Sequence, residues 1–160
     1  MEALSDDSEF VRLRAVNALI SIDADRAAEP LIERLRAAAG RGGSEGAAAP
    51  DAEEIVELGL MGLRSLPLVE FFSEWLRSPD EGRRWQAAIV LGGSGDERAI
   101  EPLARALVDD EGHVRGLVIA GLAQLGGPRA EAHLKKVTQT GRRRDRWRAR
   151  IALWRLRRGW

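Results

Sequence analysis

Few residues of this sequence could carry out chemistry. It has no cysteine, which excludes disulfides and thiolate metal sites, so only His113 and His133 could offer imidazole to a metal. Neither histidine has the HxxxH spacing or a matching carboxylate that would suggest a metal site. The run VLGGSGDE (90–97) follows no predicted strand, so it predicts a turn between helices and not a phosphate loop. Because no Ser/His/Asp set has supporting spacing either, we expect no enzyme activity, no metal and no cofactor.

Arginine and tryptophan are concentrated at the C-terminal end. The segment GRRRDRWRARIALWRLRRGW (141–160) holds nine arginines against one acidic residue. Arginine interleaved with tryptophan could bind nucleic acid through phosphate contacts and base stacking. The interpretation that we favour is a terminal capping helix, in which Ala149, Leu153 and Leu156 face the core and the arginines solvate the exposed flank.

One arginine recurs along the chain, each time after an acidic turn, as Arg12, Arg84, Arg115 and Arg146. Recurrence in every unit is typical of an architectural role, whereas a single active site does not need it. We therefore expect these arginines to tie adjacent repeats together through carboxylates of the turns. A catalytic role would require one of them to differ from the others.

The position after these arginines holds large apolar side chains in three places, Leu13, Trp85 and Trp147. If Ala15 faces the core, a residue two places earlier is rotated roughly 200° from it, because a helix turns about 100° per residue. Such a residue projects away from the packed face. This pattern predicts either a binding surface or a closed trough, in which these groups pack on one another or cover the stems of nearby arginines.

An internal repeat must supply the elements that position these residues. A shift of 31 residues superposes Arg84 on Arg115, and a shift of 72 superposes Arg12 on Arg84. Since 72 is two periods of 31 plus ten, ten residues are inserted between the first and third repeats. They fall in AAAGRGGSEGAAAP (37–50), whose glycine and alanine content predicts a flexible insertion.

Within each period the apolar residues recur at helical spacing, and no stretch alternates like a strand. Each period therefore predicts a pair of helices. The predicted helices lie near residues 8–22, 26–38, 51–64, 67–77, 81–93, 97–108, 112–125, 129–139 and 143–158. Pro30 and Pro102 fall inside two of them, where we expect a bent or loosened first turn.

A single helix pair of this length cannot bury its apolar face, but stacked pairs share a continuous core. The predicted fold class is all-α, an α-solenoid of about 4.5 helix pairs in a single domain over residues 1–160. Its repeats lie near residues 4–35, 36–75, 76–106 and 107–137, and a terminal capping helix follows at 138–160.

The order of the motifs makes this fold more specific. EPLIxAL, an acidic turn, VRxxAAxxLG and GDxRA follow one another, as in DEGHVRGLVIAGLAQLGG, DDSEFVRLRAVNALISI and GDERAIEPLARAL. This order resembles the HEAT-like repeats of the phycobilisome-lyase type, and the artificial αRep proteins built on that repeat are similar in period and in their closing repeat, here LGGPRAEAHLKKVTQTG. Residues 51–77 keep the apolar spacing but lose the arginine and the GD turn, which favours an evolved protein over a consensus design.

The resemblance implies that the VRxxAA helices line the inner, concave surface of the solenoid. The matching positions, expected to bind a partner, are Phe10, Leu13, Arg14, Asn17, Glu54, Trp85, Gln86, Ile89, His113, Leu117, Trp147, Arg148, Ile151 and Arg155. Helices spaced about 8–10 Å apart make five such helices span roughly 40 Å. A trough of that length suits a peptide or helix, and an aromatic residue such as Trp85 is a typical anchor.

Charge is distributed unevenly along the chain. The net charge is zero, but residues 1–80 hold 8 basic against 16 acidic residues, and residues 81–160 hold 17 against 9. The trough is therefore expected to be acidic at one end and basic at the other, which would orient a partner. With 44% apolar residues, no export signal and no run of eighteen apolar residues, we expect a cytoplasmic protein that spans no membrane.

These patterns predict a non-enzymatic scaffold that binds a protein partner along its concave face. Nucleic-acid binding through the last two repeats is the alternative, and a chromophore-lyase-like subunit is a third possibility implied by the resemblance alone. The opening MEALSDDSEF resembles the end of a preceding helix. The first edge, around Phe10, is then a candidate for self-association, as is the last repeat.

Overall fold

The computed structural model describes residues 14, 32, 33, 36 and 66–158 of the chain. In the part from residue 66 onward it contains six α-helices and no strand. They are α1 Leu66–Trp75, α2 Glu81–Gly93, α3 Ile100–Arg105, α4 Gly112–Leu125, α5 Gly127–Thr140 and α6 Arg143–Arg158. Two 3-10 turns, Glu97–Ala99 and Ala106–Val108, flank α3. The predicted all-α solenoid is confirmed.

The helices form two layers. Helices α2, α4 and α6 lie side by side in one layer, and α4 contacts both of its neighbours. Helices α3 and α5 lie side by side in the other layer, and α1 contacts the 3-10 turn that precedes α3. Each odd-numbered helix also packs on the even-numbered helix that follows it, so the molecule is a stack of helix pairs.

The predicted boundaries match those of α2, α4 and α6 residue for residue. The continuous helix predicted over residues 97–108 is wrong, because the chain there forms a short α-helix between two 3-10 turns. Pro102 accounts for part of this break, since proline has no backbone N–H to donate and disturbs the turn before it. The loosened first turn expected at Pro102 is thus present as Glu97–Ala99.

The bounds of the first three predicted helices, the insertion at 37–50 and Pro30 lie outside the described residues. Arg14, Ile32, Glu33 and Arg36 are the described positions of that region, and all four are helical.

The buried core residues recur at the same 31-residue period as the sequence motifs. Ala87, Val118 and Ala149 are 31 residues apart, and each is completely buried. The same offset joins Leu91, Leu122 and Leu153, which are all buried as well. Burying a leucine side chain stabilises a protein by about 1.5–3 kcal/mol, so the repeated leucines contribute much of the cohesion between pairs.

Helix α1 fills its part of the core differently, with three aromatic rings. Phe71, Phe72 and Trp75 are buried, and their ring centroids lie 5.1–5.5 Å apart. These tilted and edge-on pairs have the geometry that aromatic rings prefer. In the repeat that matches the sequence pattern most weakly, the burial of large aromatic side chains thus stabilises the described helix.

Helix ends follow the turn residues of the sequence. Asp80 caps α2 by accepting a hydrogen bond of 2.7 Å from the amide of Gly82. Gly126, with a φ of 64°, ends α4, because glycine adopts the left-handed region without steric cost. Among the described helices, none is long and apolar enough to cross a membrane.

Candidate functional site

A groove of about 820 Å³ lies between α4 and α6. Its floor includes the buried core residues Ile119 and Ala152, and its walls carry more exposed side chains of the two helices. Residues lining it are His113, Gly116, Leu117, Ile119, Ala120, Ala123 and Gln124 from α4, and Trp147, Arg148, Ile151, Ala152, Arg155 and Leu156 from α6. Positions 147, 151 and 155 are one helical turn apart, so they form a stripe along α6.

Six of the residues expected on the inner surface meet in this groove. They are His113, Leu117, Trp147, Arg148, Ile151 and Arg155. Trp85 and Ile89 lie on α2, outside the lining of this groove, and both are half-buried. Arg14 is exposed on a helix, whereas Phe10, Leu13, Asn17 and Glu54 lie outside the described residues.

Gln86 differs from the expectation because it is only 7% exposed. It lies one helical turn before Val90, which is 3% exposed, so the two side chains share a packed face. The expectation that Gln86 presents its side chain to a partner is therefore wrong.

The tryptophans on α6 are open to solvent. Trp147 is 65% exposed, and Trp154 is 52% exposed. The guanidinium of Arg158 lies 4.3 Å from the centroid of the Trp154 ring, a cation–π contact. Contact with arginine therefore covers part of Trp154, while Trp147 stands at the rim of the groove.

Gly116 takes the place of a tryptophan in the row of inner-surface residues. It lies 31 residues after Trp85 and 31 before Trp147. A Cβ at Gly116 would lie 2.8 Å from Nη1 of Arg148. The guanidinium of Arg148 occupies this space, and its Nη1 donates a hydrogen bond of 2.7 Å to the carbonyl oxygen of Gly112. Gly116 was not predicted as a site residue, although the 31-residue offset aligns it with both tryptophans.

Two of the recurring arginines connect neighbouring repeats. The Nε of Arg84 donates to Asp109 at 2.7 Å, and the Nε of Arg115 donates to Asp145 at 2.7 Å. Each Nη1 also donates to two backbone carbonyls of the turn before its helix. The hydrogen bond that Arg84 donates to the carboxylate of Asp109 raises the pKa of Arg84, so this guanidinium stays charged.

The series of recurring arginines that connect neighbouring repeats ends at the last helix, α6. Arg146 is exposed, and the carboxylate that binds Arg115 comes from Asp145 inside α6 and not from a turn. Arg12 lies outside the described residues.

Three exposed side chains near the start of α2 and α4 could hold a metal. Ligand atoms of Glu81, Glu111 and His113 lie within 4.8 Å of one another. Zinc accepts imidazole and carboxylate ligands of this kind. In the structure Nε2 of His113 lies 2.8 Å from Oε1 of Glu81. The prediction that neither histidine has a matching carboxylate is therefore wrong. The fold places a carboxylate from another repeat beside each histidine, and Oε1 of Glu101 lies 3.3 Å from Nε2 of His133.

A second cavity, of about 470 Å³, lies between the α3 region and α5. Both members of the Arg115–Asp145 pair contribute to its wall, as does Asp109. The acidic groups of this cavity are therefore engaged in holding the repeats together, which distinguishes it from the groove between α4 and α6.

Two family models match the chain. The model described as HEAT repeats matches residues 69–154, and the model of the PBS lyase HEAT-like repeat matches residues 11–37. The first match runs from α1 into α6 and contains most of the groove. The comparison with curated proteins returned no match.

Proposed function

This chain belongs to the HEAT repeat family, whose members generally mediate protein–protein interaction, and from that premise we propose that it is a non-enzymatic scaffold that binds a peptide or helix of a partner protein. The proposed binding site is the groove between α4 and α6, on the concave face of the solenoid. HEAT repeats typically serve as scaffolds without enzyme activity.

The observation that carries the proposal is the exposure of Trp147 at the rim of an apolar groove. Its side chain is 65% exposed, and Leu117 and Ile151 line the groove beside it. A partner that covers this indole would remove apolar surface from water, and tryptophans in such positions are typically worth about 2 kcal/mol or more to an interface.

A second candidate function is nucleic-acid binding by α6. The observation in its favour is the row of exposed arginines at 143, 144, 146, 150, 155, 157 and 158. Against it, α6 also buries Ala149, Ala152 and Leu153, as a capping helix would, and such a helix needs a solvated outer side. Chromophore-lyase-like activity stays a prediction from the repeat alone, and we attach no site to it.

The proposal can be tested with peptides selected from a random display library on the intact chain. Their affinities for the Trp147→Ala and Trp154→Ala variants are then measured by fluorescence anisotropy. Trp154 is the matched control, since it is an exposed tryptophan of the same helix that does not line the groove.

We expect Trp147→Ala to weaken binding by about thirtyfold, the equivalent of about 2 kcal/mol, while Trp154→Ala binds nearly as the parent does. Circular dichroism checks that both variants keep their helical content. Failure to select any peptide, or equal losses in the two variants, would remove the groove as the binding site.

A further inference from the structure

We propose that the segment bound in the groove is acidic, with an aspartate or glutamate placed at a fixed distance from a large apolar side chain. This inference rests on the proposed function and specifies the chemistry of its partner.

Charge of one sign lines the groove. Arg148 and Arg155 contribute two guanidinium groups, and no aspartate or glutamate is among the lining residues. A cationic partner would find no carboxylate in the lining to pair with, whereas a carboxylate would find complementary charge at Arg155.

Arg148 and Arg155 differ in the partners that their guanidinium groups already have in the structure. Arg148 donates to the carbonyl oxygen of Gly112 and lies 3.4 Å from Asp145. Arg155 is exposed and forms no ion pair with any residue in the described part of the chain. Its planar guanidinium matches the two oxygens of a carboxylate, so Arg155 is the group that we expect to bind the acidic residue.

The stripe on α6 also sets a distance. Trp147 and Arg155 are eight residues apart on one helix, which corresponds to about 12 Å at about 1.5 Å per residue. Ile151 lies midway and keeps the stripe apolar between the two ends. A helical partner would therefore carry its anchor and its acid about two turns apart, and an extended partner would carry them about three to four residues apart.

A peptide fits the groove better than a nucleic acid does. The groove that Arg155 lines has aliphatic side chains such as Leu117 and Ile151 in its walls, and its other guanidinium, that of Arg148, already donates to the carbonyl oxygen of Gly112. A phosphate backbone requires several available cations in a row, and on α6 these lie mainly outside the groove, for example Arg150 and Arg157.

The test extends the same library selection to two charge-reversed variants. Arg155→Glu changes the groove, and Arg157→Glu is the matched control, because Arg157 is exposed on the same helix but does not line the groove. Both variants change the net charge equally, so an effect of overall charge alone would be the same in both.

The expected result has three parts. Peptides selected on the parent chain are enriched in aspartate or glutamate near a large apolar residue, and they bind Arg155→Glu at least tenfold more weakly. Arg157→Glu binds them within about threefold of the parent, as expected for a rim charge outside the contact. Replacing the acid of the peptide by lysine restores binding to Arg155→Glu, which excludes misfolding as the cause of the loss.

Contrary results would distinguish a failure of the acidic preference from a failure of the groove as the binding site. Peptides that need Trp147 but show no acidic preference, or that bind Arg155→Glu as tightly as the parent, would overturn the acidic partner and leave the groove in place. If no peptide is selected at all, the groove itself fails. A single-stranded oligonucleotide that binds the parent and is weakened equally by both variants would overturn the inference in favour of nucleic acid.

Discussion

Two junctions between neighbouring helices of the layer α2–α4–α6 are packed differently in this molecule. Where α2 meets α4, Gly92 and Gly121 bring the two backbones so close that a Cβ at Gly92 would lie 2.5 Å from the Cα of Gly121. The positions 31 residues later are Ala123 and Ala152, and both line the groove between α4 and α6. We call the first the sealed junction, because glycines let its two backbones touch, and the second the open junction, because alanines at the same repeat position border a groove.

This difference shows how a regular scaffold acquires a local binding surface. Two methyl groups cannot approach as closely as two glycine backbones, so a small change of side chain moves neighbouring helices apart. The junction between α4 and α6 then needs another source of cohesion. It is supplied by the Arg115–Asp145 pair, whose side chains are only 9% and 5% exposed, and by Arg148 lying across Gly116.

The largest effect is expected from removing the acid at the open junction. Asp145→Ala leaves the buried guanidinium of Arg115 without its carboxylate and also removes an acceptor of Arg148. Breaking a buried ion pair from one side typically costs about 3–5 kcal/mol, and urea unfolding measures the loss in free energy of unfolding.

Asp109→Ala is the matched change at the sealed junction. Its partner Arg84 is more exposed than Arg115, 16% against 9%, so water replaces more of the lost ion pair and we expect a smaller loss of about 1.5–3 kcal/mol. Equal losses of free energy of unfolding in the two variants would mean that the open junction depends on its ion pair no more strongly than the sealed junction does.

A smaller effect is expected from adding a methyl group at the sealed junction. Gly92→Ala places the new Cβ against the backbone of α4, which cannot turn aside as a side chain can. Overpacking of this kind costs about 1–3 kcal/mol, against a gain of about 1 kcal/mol in helix propensity. Thermal and urea unfolding should therefore show a destabilised protein, and a stabilised one would contradict the close contact of the two helices.

The sequence predicted the periodic part of this molecule well. The bounds of α2, α4 and α6 follow from apolar spacing and from turn residues such as Asp80, which are local signals. The break around α3 was only partly predictable, because the 3-10 turn at Ala106–Val108 contains no residue that requires it.

Contacts between repeats were harder to predict. Glu81 and His113 are far apart in the sequence and meet only once α2 and α4 are stacked. Gln86 was also hard to predict from the sequence. Helical spacing places it at the border between the expected inner surface and the packed side of α2, and its burial depends on the neighbouring helices. The 31-residue offset does carry the information on Gly116, but its consequence depends on where Arg148 reaches.

The smallest effect is expected at Gly116, where the same kind of substitution meets a flexible partner. A Cβ at Gly116 would lie 2.8 Å from the end of the Arg148 side chain, which can rotate away without moving a helix. The variant Gly116→Ala gains about 1 kcal/mol of helix propensity and loses a hydrogen bond to the carbonyl of Gly112, worth about 1 kcal/mol, so its free energy of unfolding should stay within about 1 kcal/mol of the parent. Urea unfolding beside Gly92→Ala measures the contrast directly. A loss at Gly116 as large as that at Gly92 would mean that Arg148 is held as rigidly as a helix backbone, and the open junction would then be no more adaptable than the sealed one.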